Sequence, residues 1–264
     1  MRRPLPQPLA AVAVGASACA ALAVFGAGAV PASSASAPAQ SAQSQYEDAV
    51  KAATNQTVHF QTDVTQGKVT LQQSGDAGTT SGSESITIHN GKSTELMDAE
   101  VVGTNGYVKG NTTGLEDILS LTPTQARKYQ GQWLSFPMSN SNLAQLVGGL
   151  LKSQVATELG FSGPFTHVAD AIVNGQNAIG IRGSVSTSNG TSVPEVLYVP
   201  SSGKPLPIEE VTNPGANVHA TTAHGAVSFS NRGEHVEVPA PAHSVPLSKL
   251  APTSTSGATT TTGG

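Results

Sequence analysis

The sequence has little of three things on which many proteins depend: cysteine, aromatic side chains and charge. Its only cysteine is Cys19, so the rest of the chain cannot form an internal disulfide, and core packing with backbone hydrogen bonds must hold the fold. Charged residues make up 11% of the chain, against about 25% in ordinary globular proteins. The formal net charge is -4 and no cluster of lysine and arginine follows the first residues. A nucleic acid is therefore not expected as a partner, because phosphate binding needs a basic patch.

Motifs for catalysis, metal binding and phosphate binding are also missing. The seven histidines are scattered without metal-ligand spacing, so neither a metal site nor a cofactor is predicted. The acids at Glu116 and Asp117, and at Glu209 and Glu210, are direct neighbours whose side chains point apart, and they are interpreted as solvated surface acids. The chain is therefore predicted not to be an enzyme. An envelope hydrolase would need a Ser, His and Asp cluster that only the fold could assemble.

The first 39 residues predict an export signal. Arg2 and Arg3 precede an apolar run over 9–30, and small residues with prolines follow it. This is the order of regions in a signal peptide, and it predicts cleavage near Ala32 or Ala39. An uncleaved signal anchor is the alternative, because the apolar run is long enough to span a membrane. In either case the sequence predicts an extracytoplasmic protein, secreted or associated with the cell envelope.

Cys19 raises the question of lipidation. The residues Ala16-Ser17-Ala18-Cys19 are similar to a lipobox, in which the cysteine is acylated, but Ala16 stands where leucine is usual. The apolar run also continues past Cys19, whereas a tethered lipoprotein usually continues with a polar linker. An ordinary apolar cysteine within the signal is therefore favoured, and lipidation at Cys19 stays the alternative.

The remainder predicts one domain of about 200 residues. Residues 40–45 are a linker, 46–247 form the domain, and 248–264 are a Ser/Thr/Gly-rich tail that is expected to be disordered. Period-2 alternation and Asn-Gly turns predict a meander of short antiparallel strands. These predicted strands cover 58–64, 68–73, 85–89, 95–102, 106–109, 132–136, 165–173, 177–185, 193–199, 206–211, 226–229 and 235–238, with a turn over 76–83.

Helices are predicted before and between the strands. Segment 46–53 has Tyr46, Val50 and Ala53 on one stripe, and 115–121 and 123–129 are short helices. The strongest helical pattern covers 143–155, in which apolar residues recur three and four apart. Gly148 and Gly149 lie inside it, either because a methyl group would clash with the sheet or because they form a hinge. Strands, then helices, then strands predict an α+β domain.

Five short blocks, in this order, resemble a known family. They are VVGTNGYVKG (101–110), ARKYQGQWLSFP (126–137), VNGQNA with IRG (173–178 and 181–183), LYV with GKPLP (197–199 and 203–207) and VSFSNRGE (227–234). Together they are similar to the LppX/LprG-type exported lipoproteins of actinobacteria and, more remotely, to the LolA/LolB carriers. The resemblance implies a strongly curved antiparallel sheet, a half-barrel, with helices covering its concave face. It also implies an apolar cavity that holds acyl chains.

The hypothesis that follows is a non-enzymatic, monomeric protein that binds and transports an acylated lipid or lipoglycan in the cell envelope, touching the membrane transiently or through an N-terminal anchor. The alternative is a secreted structural or protein-interaction module with a packed core. A cavity of several hundred cubic ångströms would favour the carrier. The residues predicted to line it are Val58, Phe60, Val64, Ile86, Ile88, Leu143, Leu146, Val147, Leu150, Leu151, Ile179 and Ile181.

Overall fold

The computed structural model describes residues 40–186, 190–215 and 223–250. The predicted signal, Cys19 and the tail beyond residue 250 lie outside these residues. Twelve strands are described. They are β1 (Val58–Gln66), β2 (Val69–Ala77), β3 (Ser81–Asn90), β4 (Ser93–Val102), β5 (Asn105–Gly110), β6 (Leu134–Pro137), β7 (Ser162–Val173), β8 (Gln176–Ser186), β9 (Ser192–Pro200), β10 (Glu209–Thr212), β11 (His224–Ser230) and β12 (Val245–Pro246).

All twelve strands belong to one open, curved sheet, in the order β12-β6-β5-β4-β3-β2-β1-β11-β10-β9-β8-β7. Every pairing is antiparallel except that of β12 with β6. The first strands follow one another as a meander, and β11 closes the gap between β1 and β10. The expectation of an α+β fold with a curved antiparallel sheet is confirmed.

Register places the apolar side chains of both halves on the same side of this sheet. Ile86 lies opposite Met97 between β3 and β4, and Ile181 lies opposite Leu197 between β8 and β9. Directly opposed residues of antiparallel strands point to one side, so the series of pairs from β4 to β8 defines a single face. The helices pack on this side, which we call the covered face, and the other side is the open face.

Five α-helices are described: α1 (Ala42–Ala53), α2 (Thr112–Asp117), α3 (Pro123–Tyr129), α4 (Ser141–Ala144) and α5 (Lys152–Glu158). Helix α1 begins four residues before its predicted start, where the Ser41 hydroxyl accepts a hydrogen bond from the Ser44 N–H. Helix α3 has its predicted bounds and starts with a capping box between Thr122 and Gln125. None of the described helices is both long and apolar enough to cross a membrane.

The prediction of one continuous helix over 143–155 is wrong. The segment consists of α4, a 3₁₀ turn at Gly148–Leu150, and α5, with Leu151 in an extended conformation between them. The Gly78 N–H donates to the Leu150 carbonyl at 3.1 Å, and the Lys152 N–H donates to the Gly78 carbonyl at 2.7 Å. Hydrogen bonds to the sheet therefore replace hydrogen bonds within a helix at this point. We call 141–158 the cover segment.

Glycines on the sheet permit this close approach. A Cβ added at Gly82, on β3, would lie 2.1 Å from the Leu150 carbonyl oxygen. A Cβ at Gly148 or Gly149 would meet nothing within 4 Å. The interpretation that a methyl group at these two positions would clash with the sheet is therefore wrong, and the close contact belongs to Gly82 instead.

Other predicted elements also differ: the helix predicted over 115–121 is α2 (Thr112–Asp117), and the strand predicted over 206–211 is β10 (Glu209–Thr212). No strand forms over 235–238; there the Val238 N–H donates to the Ser81 hydroxyl, and the preceding turn bonds to Thr57. The predicted turn over 76–83 is shorter, because β2 continues to Ala77 and β3 begins at Ser81. Pairing with the neighbouring strands extends both ends of this hairpin despite its Gly, Ser and Thr content.

Candidate functional site

Two main apolar clusters occupy the two ends of the covered face. The β4–β6 cluster joins the sheet to α2, α3 and the cover segment, and the β7–β9 cluster joins it to α1. The buried members of the first are Met97, Ala99, Val101, Val108, Leu115, Ala126, Leu134, Phe136, Val147, Leu150 and Leu250. Those of the second are Ala42, Ala49, Ala53, Leu159, Phe161, Ile181, Leu197 and Val199.

The predicted lining residues are distributed over both ends and the middle of this face. Seven belong to the β4–β6 cluster, either buried or packed against it: Phe60, Ile86, Leu143, Leu146, Val147, Leu150 and Leu151. Ile179 and Ile181 belong to the β7–β9 cluster, and Val58, Val64 and Ile88 to two smaller clusters between the ends. The fold thus places the predicted set on the covered face without gathering it into one group. Its contact with a lipid stays a prediction.

Polar side chains interrupt the apolar surface between the two clusters. Thr62 and Gln73 are opposed on β1 and β2, and the Gln73 amide donates to the Glu84 carboxylate. On β10, Glu210 shares this face with Leu197 of β9. Thr62, Glu84 and Glu210 are all buried. The covered face therefore consists of two apolar ends separated by these buried polar side chains, which we call the polar band.

Glu195 and Glu210 form the most buried acidic pair of this band. The Thr212 hydroxyl donates to the Glu195 Oε1 at 3.2 Å, and the two carboxyl groups hydrogen-bond to each other. Burial raises the pKa of Glu195 above its ordinary value of 4.5, although both hydrogen bonds act in the opposite direction. The interpretation of Glu210 as a solvated surface acid is wrong. Strand pairing places it opposite Leu197 on the covered face, where it is only 8% exposed.

Tyr46 connects α1 to this band. Its hydroxyl donates to the Leu159 carbonyl at 2.9 Å and accepts from the Phe161 N–H at 3.1 Å. Its ring stacks on Phe165 with the two centroids 4.5 Å apart. Burial raises the pKa of Tyr46, and the nearby Glu210 and Glu195 raise it further. The stripe predicted for this helix is thus correctly placed, but its tyrosine also has a polar role.

Arg232 is a candidate that sequence reasoning missed, although the residue belongs to one of the resembling blocks. Its Nε and Nη2 donate to the Pro207 carbonyl at 3.1 and 2.6 Å, and its Cζ lies 5.1 Å from the centroid of the Phe229 ring. Burial lowers its pKa to about 10, so it stays charged at neutral pH. Its Nη1 is shielded from solvent and has no hydrogen-bond partner. Among the described residues no carboxylate forms an ion pair with Arg232.

The open face carries the two best-formed depressions in the described part of the chain. Their volumes are about 320 and 450 Å³; the first is lined chiefly by polar side chains of β1–β5, and the second is more apolar, with Ile86, Leu96 and Met97 in its lining. Neither depression separates the cover segment from the sheet. His59 Nδ1 lies 2.9 Å from Asp76 Oδ1 at the edge of the first depression, and no serine hydroxyl hydrogen-bonds to this ring among the described residues. This pair alone does not form the triad that a hydrolase would need.

Among the described residues, no group of three or more His, Cys, Asp or Glu side chains is arranged to hold a metal ion. Three of the buried carboxylates, Glu84, Glu195 and Glu210, are instead bonded within the polar band.

No protein-family model and no curated protein matches the sequence. Among solved structures, the chain is similar to LprF from Mycobacterium bovis, with 13% identity and a TM-score of 0.50 over 76% of this chain and 97% of LprF. It is also similar to the Mycobacterium tuberculosis lipoprotein LppX, with 14% identity, a TM-score of 0.45, and coverage of 77% of this chain and 100% of LppX. An uncharacterised conserved protein from Thermus thermophilus shows 13% identity, a TM-score of 0.38, and coverage of 78% and 99%. At such identities the likeness is one of fold, and the fold implied by the resemblance to the LppX/LprG-type proteins is the one that this chain shares with LprF.

Proposed function

We propose that this protein binds the acyl chains of a lipid or lipoglycan between the covered face and the cover segment, and carries the lipid in the cell envelope. The secondary structure of the cover segment is the main support for this proposal. It consists of two short helices and a 3₁₀ turn, and two backbone hydrogen bonds to Gly78 attach its middle to the sheet. Such a segment can move away without disturbing the strand ladder.

Movement of the cover would expose apolar surface on both sides. Leu150 and Val147 on the cover segment pack with Phe60 and Ile86 on the sheet. An acyl chain entering here would replace contacts between apolar side chains with contacts of the same kind. The transfer of each CH₂ group from water contributes about 0.8 kcal/mol, so one long chain suffices for tight binding.

Arg232 supports an anionic headgroup as part of the same ligand. A guanidinium that keeps its charge and has no carboxylate partner suits a phosphate or carboxylate oxygen, which would bind Nη1 once the cover moves and the side chain turns outward. Its position over Phe229 places it where β11 ends, beside apolar residues of the covered face. We therefore infer that acidic acyl lipids bind in preference to neutral ones.

The alternative function, a secreted interaction module with a packed core, has its own supporting observation. The two best-formed depressions of the described residues lie on the open face, and Val147 and Leu150 of the cover segment are fully buried against the rest of the domain. A closed covered face of this kind is what a packed module would have. A lipid carrier, in contrast, would need the cover segment to move away from this face.

Lipid content distinguishes the two functions. Protein purified from an actinobacterial host is analysed by native mass spectrometry, and its organic extract is analysed for acyl lipids. The carrier predicts acidic acyl lipid at near-stoichiometric amounts, and Arg232→Gln should shift the bound pool towards neutral species. Absence of lipid in the purified protein, together with no uptake of a fluorescent fatty acid by the delipidated protein, would favour the packed module.

A further inference from the structure

The open face has a groove that the proposed lipid-binding function does not use. Its floor is made of short hydroxyl side chains on neighbouring strands: Ser74 of β2 lies opposite Ser85 of β3, and Ser83 lies opposite Asp76. Longer side chains on the flanking strands form its walls. The depression has a volume of about 320 Å³, within the range of small-ligand sites.

One wall consists of side chains that hold one another in place. The Lys109 Nζ lies 2.8 Å from the Asp98 Oδ2, and the Ser85 hydroxyl donates to the Asp98 Oδ1 at 2.8 Å. The same Lys109 Nζ lies 4.6 Å from the centroid of the Trp133 ring, which lines the groove. Trp133 is the only tryptophan in the chain. An aromatic ring and a carboxylate are therefore fixed side by side before any ligand binds.

Glu100 adds an acceptor whose bonding is incomplete. This residue also lines the groove, and its Oε2 is shielded from solvent without a hydrogen-bond partner. Burial raises the pKa of Glu100, and the nearby Asp98 raises it further, while Lys109 acts in the opposite direction. Shielded carboxylate oxygens usually have a donor, and a rotation of the Glu100 side chain that turned this oxygen into the groove would offer it to a ligand hydroxyl.

The chemistry of the walls selects the class of ligand. Three carboxylates, those of Asp76, Asp98 and Glu100, line the groove with one lysine and with His59, which is bonded to Asp76, so an anion is disfavoured. A purely apolar ligand would cover the remaining exposed polar surface of these groups without giving it new hydrogen bonds. A neutral polyhydroxylated ring satisfies both demands, since its hydroxyls donate to carboxylates and its C–H face packs on an indole.

The groove also continues along the sheet. Past Lys109 and Asp98 it meets the second depression, of about 450 Å³, where Leu96 is 46% exposed and Thr87 and Gln130 line the surface. A ligand with several linked units would span both. We propose that the open face binds a neutral polysaccharide chain, with one sugar ring on Trp133 and its hydroxyls on Glu100 and Asp98.

The test uses Trp133 as its own reporter. Cellohexaose, mannohexaose and maltohexaose are titrated separately into the full-length protein, and the intrinsic fluorescence is followed. We expect at least one of them to produce a saturable change in intensity and emission maximum. Failure of all three at millimolar concentration would overturn the proposal. A response to Ca²⁺ alone, without a response to any oligosaccharide, would overturn it in favour of a cation site.

Matched variants locate the binding. Ser85→Gln fills the floor and should weaken binding at least tenfold, whereas Ser192→Gln, at the similar Ser186–Ser192 pair of β8 and β9, should leave it unchanged. Glu100→Gln keeps the shape but removes a charged acceptor, and about tenfold weaker binding is expected. Equal affinity of the wild type, S85Q and E100Q would contradict a site in this groove. Melting temperatures of all variants show whether each is folded.

Discussion

The two faces of the sheet are made by the same strands and differ in what fills the space between their side chains. On the covered face, Val147 and Leu150 from the cover segment complete the packing around Met97 and Val108. On the open face, the short Ser74 and Ser85 leave a groove that is open to solvent. Alternation along a strand separates the two sides, while side-chain length decides which side is closed by the protein itself.

Each face also carries side chains of the kind expected on the other face. The covered face, which should be apolar, holds the buried acids Glu84, Glu195 and Glu210. The open face, which should be polar, presents Leu96 and Trp133 to its grooves. The exceptions on the open face line the proposed polysaccharide groove, and those on the covered face form the polar band between the two apolar clusters. Substitutions on the two faces can therefore be paired to test this difference.

The largest loss of stability is expected when a buried side chain of the cover segment is shortened. Leu150 is 1% exposed, and Leu150→Ala should lower the free energy of unfolding by about 2–5 kcal/mol, because the removed side chain leaves a cavity. Leu96→Ala removes the same atoms from the open face and should change the free energy of unfolding by no more than about 0.5 kcal/mol. Urea denaturation measures both. Equal losses would show that the two faces are not packed differently.

A somewhat smaller loss of stability is expected when Gly82, the sheet glycine that contacts the cover segment, is replaced. Gly82→Ala places a methyl group against the Leu150 carbonyl and should destabilise the protein by about 1–3 kcal/mol. Gly148→Ala is the matched control, because its methyl group meets open space. Differential scanning calorimetry compares the two. If G82A melts at the wild-type temperature, the cover does not lie against β3 as described.

The buried acid pair predicts a dependence on pH. Because the pKa of Glu195 is raised in the folded state, its contribution to stability is fully present below the ordinary pKa of 4.5 and is lost as pH rises through the raised value. Glu195→Gln should therefore raise the melting temperature at pH 7, by about 2–4 °C for each kcal/mol of relief, and flatten the decline above pH 4.5.

The control for this prediction is Glu237→Gln, which changes a largely exposed carboxylate and should leave the profile as it is. A Glu195→Gln variant with the wild-type pH profile would mean that the folded protein does not hold this carboxyl in its protonated form.

The smallest effect on stability is expected at the two cover glycines. Gly148→Ala with Gly149→Ala should raise the free energy of unfolding slightly, by about 0.4–1 kcal/mol for each substitution, because the unfolded chain loses freedom. If cover motion admits the lipid, the same double variant should transfer a fluorescent lipid between vesicles more slowly. A more stable variant with an unchanged transfer rate would remove the hinge from the account.

Much of the fold follows from local pattern. Asn-Gly pairs such as Asn90-Gly91 and Asn174-Gly175 mark hairpins that the structure contains, and period-2 alternation locates most strands. The broken helix could not be predicted in this way. Its apolar spacing suits a helix, and only contact with the distant Gly78 and Gly82 makes extended backbone at Leu151 more favourable.

The candidate sites were less accessible to sequence reasoning. Glu195 and Glu210 meet because β9 pairs with β10 in one register, and Arg232 becomes shielded because the chain turns back against Pro207. The open-face groove depends on serines from separate strands lying opposite each other. Arg232 is one of few arginines in a chain of low charge, and its place in the block VSFSNRGE was the one local signal that could have been followed.

The proposed function requires acyl chains to lie on the covered face, beneath the cover segment. The most direct measurement is photocrosslinking of the protein to a lipid with a diazirine near the end of its acyl chain, followed by peptide mapping. The account predicts adducts in 143–151 and on the covered-face residues Phe60 and Ile86. Adducts confined to the open face around Leu96 and Trp133, or none at saturating lipid, would contradict it.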